Sequence, residues 1–224
     1  MEFPFFQEMS GLSPFQWLLF VLFLALAVVI IVALVRKQQP SKKAALPAPP
    51  RHSSVLVHGA LCIALSFVLS YVRIFKLPQG GTITLASMLP IMLYAHWYGA
   101  KHGFVAAFVY SLLQFMQDPY YFNFAQFLLD YILGFTAIGL SSLFPKRLLL
   151  GVLAGGLGRL LCSFLSGVIF FGSYAPEGIH PALYSLLYQL GTIGLDSLVC
   201  LFVALLLVRT RVIDRLRPPA SKTH

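Results

Sequence analysis

The sequence predicts an all-α integral membrane protein, a six-helix bundle preceded by one extra N-terminal transmembrane helix. Three observations carry that reading. Of 224 residues, 58% are hydrophobic and only 10% are charged, far below the roughly 25% charged residues of a soluble domain. The hydrophobic residues fall in runs of about the 17–25 residues that cross a ~30 Å hydrocarbon core. Most of the basic residues fall between those runs, on alternate connections, as the positive-inside bias requires.

Residues 1–37 read as a transmembrane anchor. Phe15 to Val35 carries no charge, no basic segment precedes it, and Arg36-Lys37 follows as a stop-transfer flank, so it resembles a signal peptide in position alone. Residues 38–53 form a Pro/Lys-rich cytoplasmic linker, where prolines 40, 47, 49 and 50 favour extended backbone. Residues 54–208 hold six further runs, near 55–75, 82–99, 102–117, 122–144, 148–171 and 181–208. Short connections make consecutive helices antiparallel neighbours. Residues 209–224 are a basic cytoplasmic tail.

The net charge of +9 reads as topology rather than as a nucleic-acid footprint. Arg36, Lys37, Lys42, Lys43 and Arg51 lie in the first connection, Lys101 and Lys146/Arg147 in alternate loops, and Arg209, Arg211, Arg215, Arg217 and Lys222 in the tail. The intervening loops hold only Arg73 and Lys76. A multi-pass protein of the cell membrane follows, with its N-terminus outside, its C-terminus cytoplasmic, and anionic headgroups facing its basic loops.

Catalytic chemistry is scarce. There is no phosphate loop, zinc-protease helix or nucleophile elbow. Cys62, Cys162 and Cys200 each lie within an apolar run and lack metal-site spacing, so they read as small buried hydrophobes. The histidines lie mainly at element ends and in loops. No enzyme, metal or cofactor is implied.

One group stands apart. Asp130 is a lone carboxylate inside a spanning run, where insertion costs roughly 2.5–3.5 kcal/mol unless the group faces a cavity or a partner. Counting 1.5 Å per residue puts Asp130, Ser163 and Gln189 on three helices at one level. Aromatics gather nearby: Tyr120, Tyr121, Phe122, Phe124, Phe170, Phe171, Tyr174 and Tyr184. A carboxylate, aromatic faces, and amide and hydroxyl groups together suit a small, flat, cationic or amphipathic ligand. Arg159 and Asp196 fall deeper, and a mutual ion pair is the expected arrangement, with an Arg159–Asp130 pair as the alternative. From the residues alone, a self-sufficient proton-coupled transporter and a non-transport scaffold also remain open.

Several ordered fragments carry a family likeness. They are Gly80-Gly-Thr-Ile-Thr-Leu-Ala-Ser-Met-Leu-Pro90, Tyr98-Gly-Ala-Lys-His-Gly103, Tyr110-Ser-Leu-Leu-Gln114, Asp118-Pro-Tyr120, Gln126-Phe-Leu-Leu-Asp-Tyr131 and Ser166-Gly-Val-Ile-Phe-Phe-Gly-Ser-Tyr-Ala-Pro-Glu-Gly178. Together they resemble the thiamine-binding S component of energy-coupling-factor vitamin transporters, over residues of about 55 to 208. The resemblance implies a six-helix subunit that captures thiamine from outside. It further implies a separate transmembrane coupling subunit and two cytoplasmic ATPases as partners.

By that likeness, Asp130 and Tyr131 are the acidic-Tyr pair that contacts the ligand. Phe171, Tyr174 and Tyr184 would enclose it, with Ser163 and Gln189 for polar readout. Two positions depart from the family pattern: Ser163 stands where a histidine is usual, and Gln189 where an asparagine is usual. Those departures admit a related pyrimidine or thiazole compound, or another vitamin, as the cargo. Ala60 and Ala64 form a small-x-x-x-small ridge that matches the alanine motif by which S components dock on the coupling subunit.

Overall fold

The structure is a computed structural model that describes residues 52–77, 81–120 and 123–216. The expected N-terminal anchor, nearly all of the linker and the end of the tail lie outside the described residues.

Five long helices carry the described chain: α1 (His52–Tyr71), α2 (Leu89–Gln117), α3 (Phe124–Leu143), α4 (Leu148–Phe170) and α5 (Pro181–Arg209). A short α6 (Val212–Leu216) follows. Four of them, α1, α3, α4 and α5, are long and apolar enough to cross a membrane. Their outward faces are studded with exposed Leu56, Leu61, Val68, Leu157, Leu161, Leu198 and Phe202. Water would penalise such faces, whereas lipid tails are as apolar as the side chains themselves. This is an all-α membrane protein in its main mass.

Two expectations need correction. The run 82–99 is not a spanning helix: only 89–98 is helical, and Thr82–Thr84 (β2) pairs antiparallel with Arg73–Lys76 (β1) in a small hairpin. A short apolar run suits a buried strand as well as a helix, and periodicity alone does not separate them. The first helix also stops sooner than 75, at Tyr71, because the next residues enter β1.

Within α2 the helix breaks at Gly99, with φ 81° and ψ −178°. That conformation belongs almost entirely to glycine. The chain folds back there: a Cβ placed on Gly103 would collide with Ala95, although residues eight apart in a continuous helix lie ~12 Å apart. The first limb, 89–98, is therefore about half a bilayer core long, and the second, 100–117, returns beside it.

Close packing elsewhere depends on small residues. Gly151 and Gly155 on α4 bring that helix against the Ser141 and Ile138 carbonyls of α3, at 2.5 and 2.9 Å from a built Cβ. This is the small-x-x-x-small mode of membrane helix contact. The core gathers Met88, Ile91, Met92, Tyr110, Ile138, Val152 and Cys200, all fully buried. Tyr94 joins α1 to the first limb by donating to the Val55 carbonyl at 3.1 Å.

Candidate functional site

The ends of α1 and α2, the hairpin, and the adjoining parts of α3, α4 and α5 enclose a cavity of about 140 Å³. Local sequence explains how each wall is held. Asn123 caps α3, its side chain accepting from the Gln126 backbone N–H at 2.8 Å. Pro181 sits in the first turn of α5, where its missing N–H is harmless, and the His180 ring accepts from the Ala182 N–H at 3.2 Å.

Both α3 and α5 widen into π-helical turns where they meet the cavity, at Leu128–Leu133 and Leu190–Gly194. Such insertions shift the side-chain register locally and recur at functional sites. Asp130 and Tyr131 ride on the first; Thr192 and Ile193 ride on the second.

Asp130 faces the cavity. Its Oδ2 accepts from Ser166 Oγ at 2.7 Å and from Gln126 Nε2 at 3.3 Å. The Ser163 side chain lies near the same carboxylate. Donors from two helices therefore fix the plane of the acid, and charge-assisted bonds of this kind are the strong ones.

Tyr131 contributes its ring to the lining while its hydroxyl works elsewhere. It donates to the Asp118 carbonyl at 2.7 Å and accepts from the Tyr120 N–H at 2.9 Å. Aromatic neighbours pack the ring from both sides along α3, with Phe127 at 6.1 Å and Phe135 at 6.3 Å between centroids. Gln189 spans α4 and α5: its Nε2 donates to the Ser163 carbonyl at 3.1 Å, and its Oε1 accepts from Thr192 Oγ1 at 3.3 Å.

Six of the seven ligand-binding residues expected from sequence line this one cavity: Asp130, Tyr131, Ser163, Phe171, Tyr184 and Gln189. Tyr174 stands outside the lining, 46% exposed, with its ring 6.0 Å from that of Phe171. Phe171 also stacks with Tyr120 at 6.4 Å and an 18° interplanar angle. Burial at this rim, and then the neighbouring Tyr174, raises the Tyr120 hydroxyl above the ordinary tyrosine value. Ala60 and Ala64 lie on an exposed face of α1, away from the cavity.

Arg159 pairs with Asp196, not with Asp130: its guanidinium nitrogen lies 3.5 Å from Asp196 Oδ2 and its carbon 4.0 Å over the Phe135 ring. Asp196 Oδ1 accepts from both the backbone N–H and the hydroxyl of Thr84, each at 2.8 Å. The pair thereby ties β2 to α4 and α5. With Arg159 neutralised by Asp196, the interior of the cavity retains the single negative charge of Asp130.

Sequence reading missed Ser166, Gln126, Tyr188 and the wall made by Ser70, Arg73, Gln114 and Gln117. The first two were within reach of a spacing argument. Gln126 precedes Asp130 by four residues and Ser166 follows Ser163 by three, the separations that share a helix face. Tyr188 accepts from the Gly81 N–H at 3.0 Å, a tertiary contact with no local signal.

Comparison with known proteins falls on the same segment. Residues 56–214 match the sequence family described as thiamine transporter protein (Thia_YuaJ). The thiamine transporter ThiT of Bacillus subtilis (strain 168) is 31% identical over 179 residues, 69% of this chain and 90% of that protein. Among solved structures, ThiT from Listeria monocytogenes superposes with a TM-score of 0.64 at 23% identity, over 72% of this chain and 96% of that one. A second, described as the S component of a bacterial ECF transporter, superposes with a TM-score of 0.50 at 20% identity, over 75% and 100%. These two likenesses identify the fold.

Proposed function

The chain belongs to the thiamine transporter protein family, and we propose that it captures thiamine outside the cell as the S component of an energy-coupling-factor transporter. The observation that carries this reading is Asp130, an interior carboxylate outside the Arg159–Asp196 pair, on the wall of a cavity shared with Tyr131, Phe171 and Tyr184. A monocationic, two-ring guest matches one unbalanced carboxylate and flat aromatic walls. Asp130 complements the ligand charge or accepts from its amino group. Ser163 and Gln189 read polar atoms along one side, and Tyr174 closes over Phe171 at the rim.

Counting the two limbs of α2 separately gives the six rods of an S component, with residues 1–37 as an added anchor. Topology follows the basic loops: the cavity opens outside, and Lys101, Lys146, Arg147 and the tail face the cytoplasm. This chain holds the cargo; a coupling subunit and two ATPases supply the work of moving it. The exposed Ala60/Ala64 face of α1 is the surface offered to the coupling subunit.

Calorimetric titration of the detergent-purified chain with thiamine and with its separate pyrimidine and thiazole fragments tests the proposal. Tight binding of thiamine, with each fragment far weaker, is the expected result. Preference for one fragment would reassign the cargo to a precursor, and no binding of any of the three would reject the reading.

A further inference from the structure

The N–H groups that open a helix have no partner within it, and at the start of α5 Pro181 has none to place. The next three all go to one residue. Leu183 and Tyr184 donate to the His180 carbonyl at 2.9 and 3.1 Å, and Ala182 donates to His180 Nδ1 at 3.2 Å. Asparagine, aspartate, serine and threonine are the usual side-chain caps. An imidazole replaces them only while the accepting nitrogen carries no proton. Protonation turns that acceptor into a donor and sets a positive charge against the positive end of the helix.

The turn held by this bond bears on the cavity from two sides. Tyr184 and Ser185, just beyond it, line the cavity, and Ser185 Oγ donates to the Phe164 carbonyl of α4 at 2.8 Å. Pro181 packs on the turn that follows α4: a Cβ placed on Gly172 would lie 3.3 Å from Pro181 Cβ. Gly172 directly follows Phe171, another residue of the lining. Fraying of the first turn of α5 therefore loosens two aromatic walls, Tyr184 and Phe171.

His180 is exposed, so the surrounding medium sets its protonation. The start of α5 packs against α4 and the Gly172–Tyr174 turn. Tyr174 and Glu177 on the connecting segment and Tyr184 on α5 are the titratable side chains adjoining the ring, and residues 165–170 of α4 bring none. Among the described residues no carboxylate pairs with His180. Imidazole is the side chain whose ordinary charge change falls between pH 5 and 8.

Resting on the thiamine reading, we propose that His180 is a positioning residue whose unprotonated ring seats the first turn of α5, so that the chain holds its guest at neutral pH and loosens it in an acid medium. The sign follows from the bond: the cap is present while the ring is neutral and is lost as pH falls through the titration of the imidazole.

The test uses the full-length protein in detergent, titrated calorimetrically with thiamine at about pH 7.5 and about pH 5.5, as wild type, His180→Asn and His180→Ala. Asparagine caps at either pH and alanine at neither. On acidification wild type is expected to lose about fivefold more affinity than His180→Asn. His180→Ala is expected to bind about fivefold more weakly than wild type at the higher pH, with no excess loss at the lower. Proton uptake elsewhere, by Asp130 or by thiamine itself, is common to the three proteins and cancels in these ratios. Matching pH profiles in wild type and His180→Asn, or full affinity in His180→Ala at the higher pH, overturn the positioning role and leave the thiamine reading intact. Wild type that binds no thiamine at either pH overturns both.

Discussion

Ser166 Oγ donates to Asp130 Oδ2 at 2.7 Å, joining α4 to the π-helical turn of α3. The bond does two things at once. It offsets part of the desolvation of a carboxylate placed within a spanning segment, and it orients the acid toward the cavity. Gln126, 1% exposed, adds a second donor from the preceding turn. The charge and its orientation are thus separable by mutation.

Asp130→Asn keeps the shape and removes the charge. Truncating one partner of a buried, hydrogen-bonded charge pair costs about 2–5 kcal/mol, so thiamine affinity should fall by roughly 30-fold or more. Ser166→Ala keeps the charge and frees its plane, and a smaller loss of about tenfold is expected. Titration calorimetry reads both. Equal affinity in wild type and Asp130→Asn would remove the carboxylate from recognition.

The Arg159–Asp196 pair predicts a different phenotype. Asp196 is 2% exposed and Arg159 13%, so Arg159→Ala would strand a buried carboxylate at a cost of about 3–5 kcal/mol. Arg159→Lys keeps the charge but loses the flat group over Phe135, so its loss should be intermediate. Thermal unfolding in detergent should rank wild type above lysine above alanine. Identical midpoints would show that the pair does not hold the hairpin to the bundle.

What could be read from sequence and what could not divide along a physical line. Apolar length and alternate basic loops located α1, α3, α4 and α5 to within a few residues, because the bilayer imposes length and sidedness directly. Asp130 was conspicuous for the same reason. The break in α2 at Gly99, φ 81°, falls in the connection that separates the runs 82–99 and 102–117, whereas the strand and turn over 82–88 were not legible, because a short apolar run reads as helix or strand alike. Nor was the cavity wall of Arg73, Gln114 and Gln117: these residues lie at element ends, and which way they face depends on helix rotation that counting does not supply. The Arg159–Asp196 pairing was anticipated from depth, but its third member, Thr84, comes from a strand that the apolar pattern had disguised as helix.

Gly99 offers a test of the turn between the two limbs of α2. Its φ and ψ lie where an L side chain is strained by about 1–3 kcal/mol. Gly99→Ala should lower the unfolding midpoint in detergent while leaving thiamine affinity of the folded protein within experimental scatter, because Gly99 is not among the cavity-lining residues. An alanine variant as stable as wild type would show that the reversal does not need glycine.

Binding and transport should part company on α1. Cys62 and Ile63 pack against the core, while Ala60 and Ala64 are exposed one turn apart beside Leu61, itself 61% exposed. Two alanines at that spacing allow another helix backbone to approach closely, and leucine at either would hold it off. Ser70, the α1 residue that reaches the cavity, is six residues beyond Ala64, ~9 Å along the axis. Ala60→Leu with Ala64→Leu should therefore preserve calorimetric thiamine binding and reduce uptake by about tenfold or more in vesicles holding the coupling subunit and ATPases. Parallel loss of binding and uptake would point instead to damaged folding of α1, and undiminished uptake would move the docking surface to another face of the bundle.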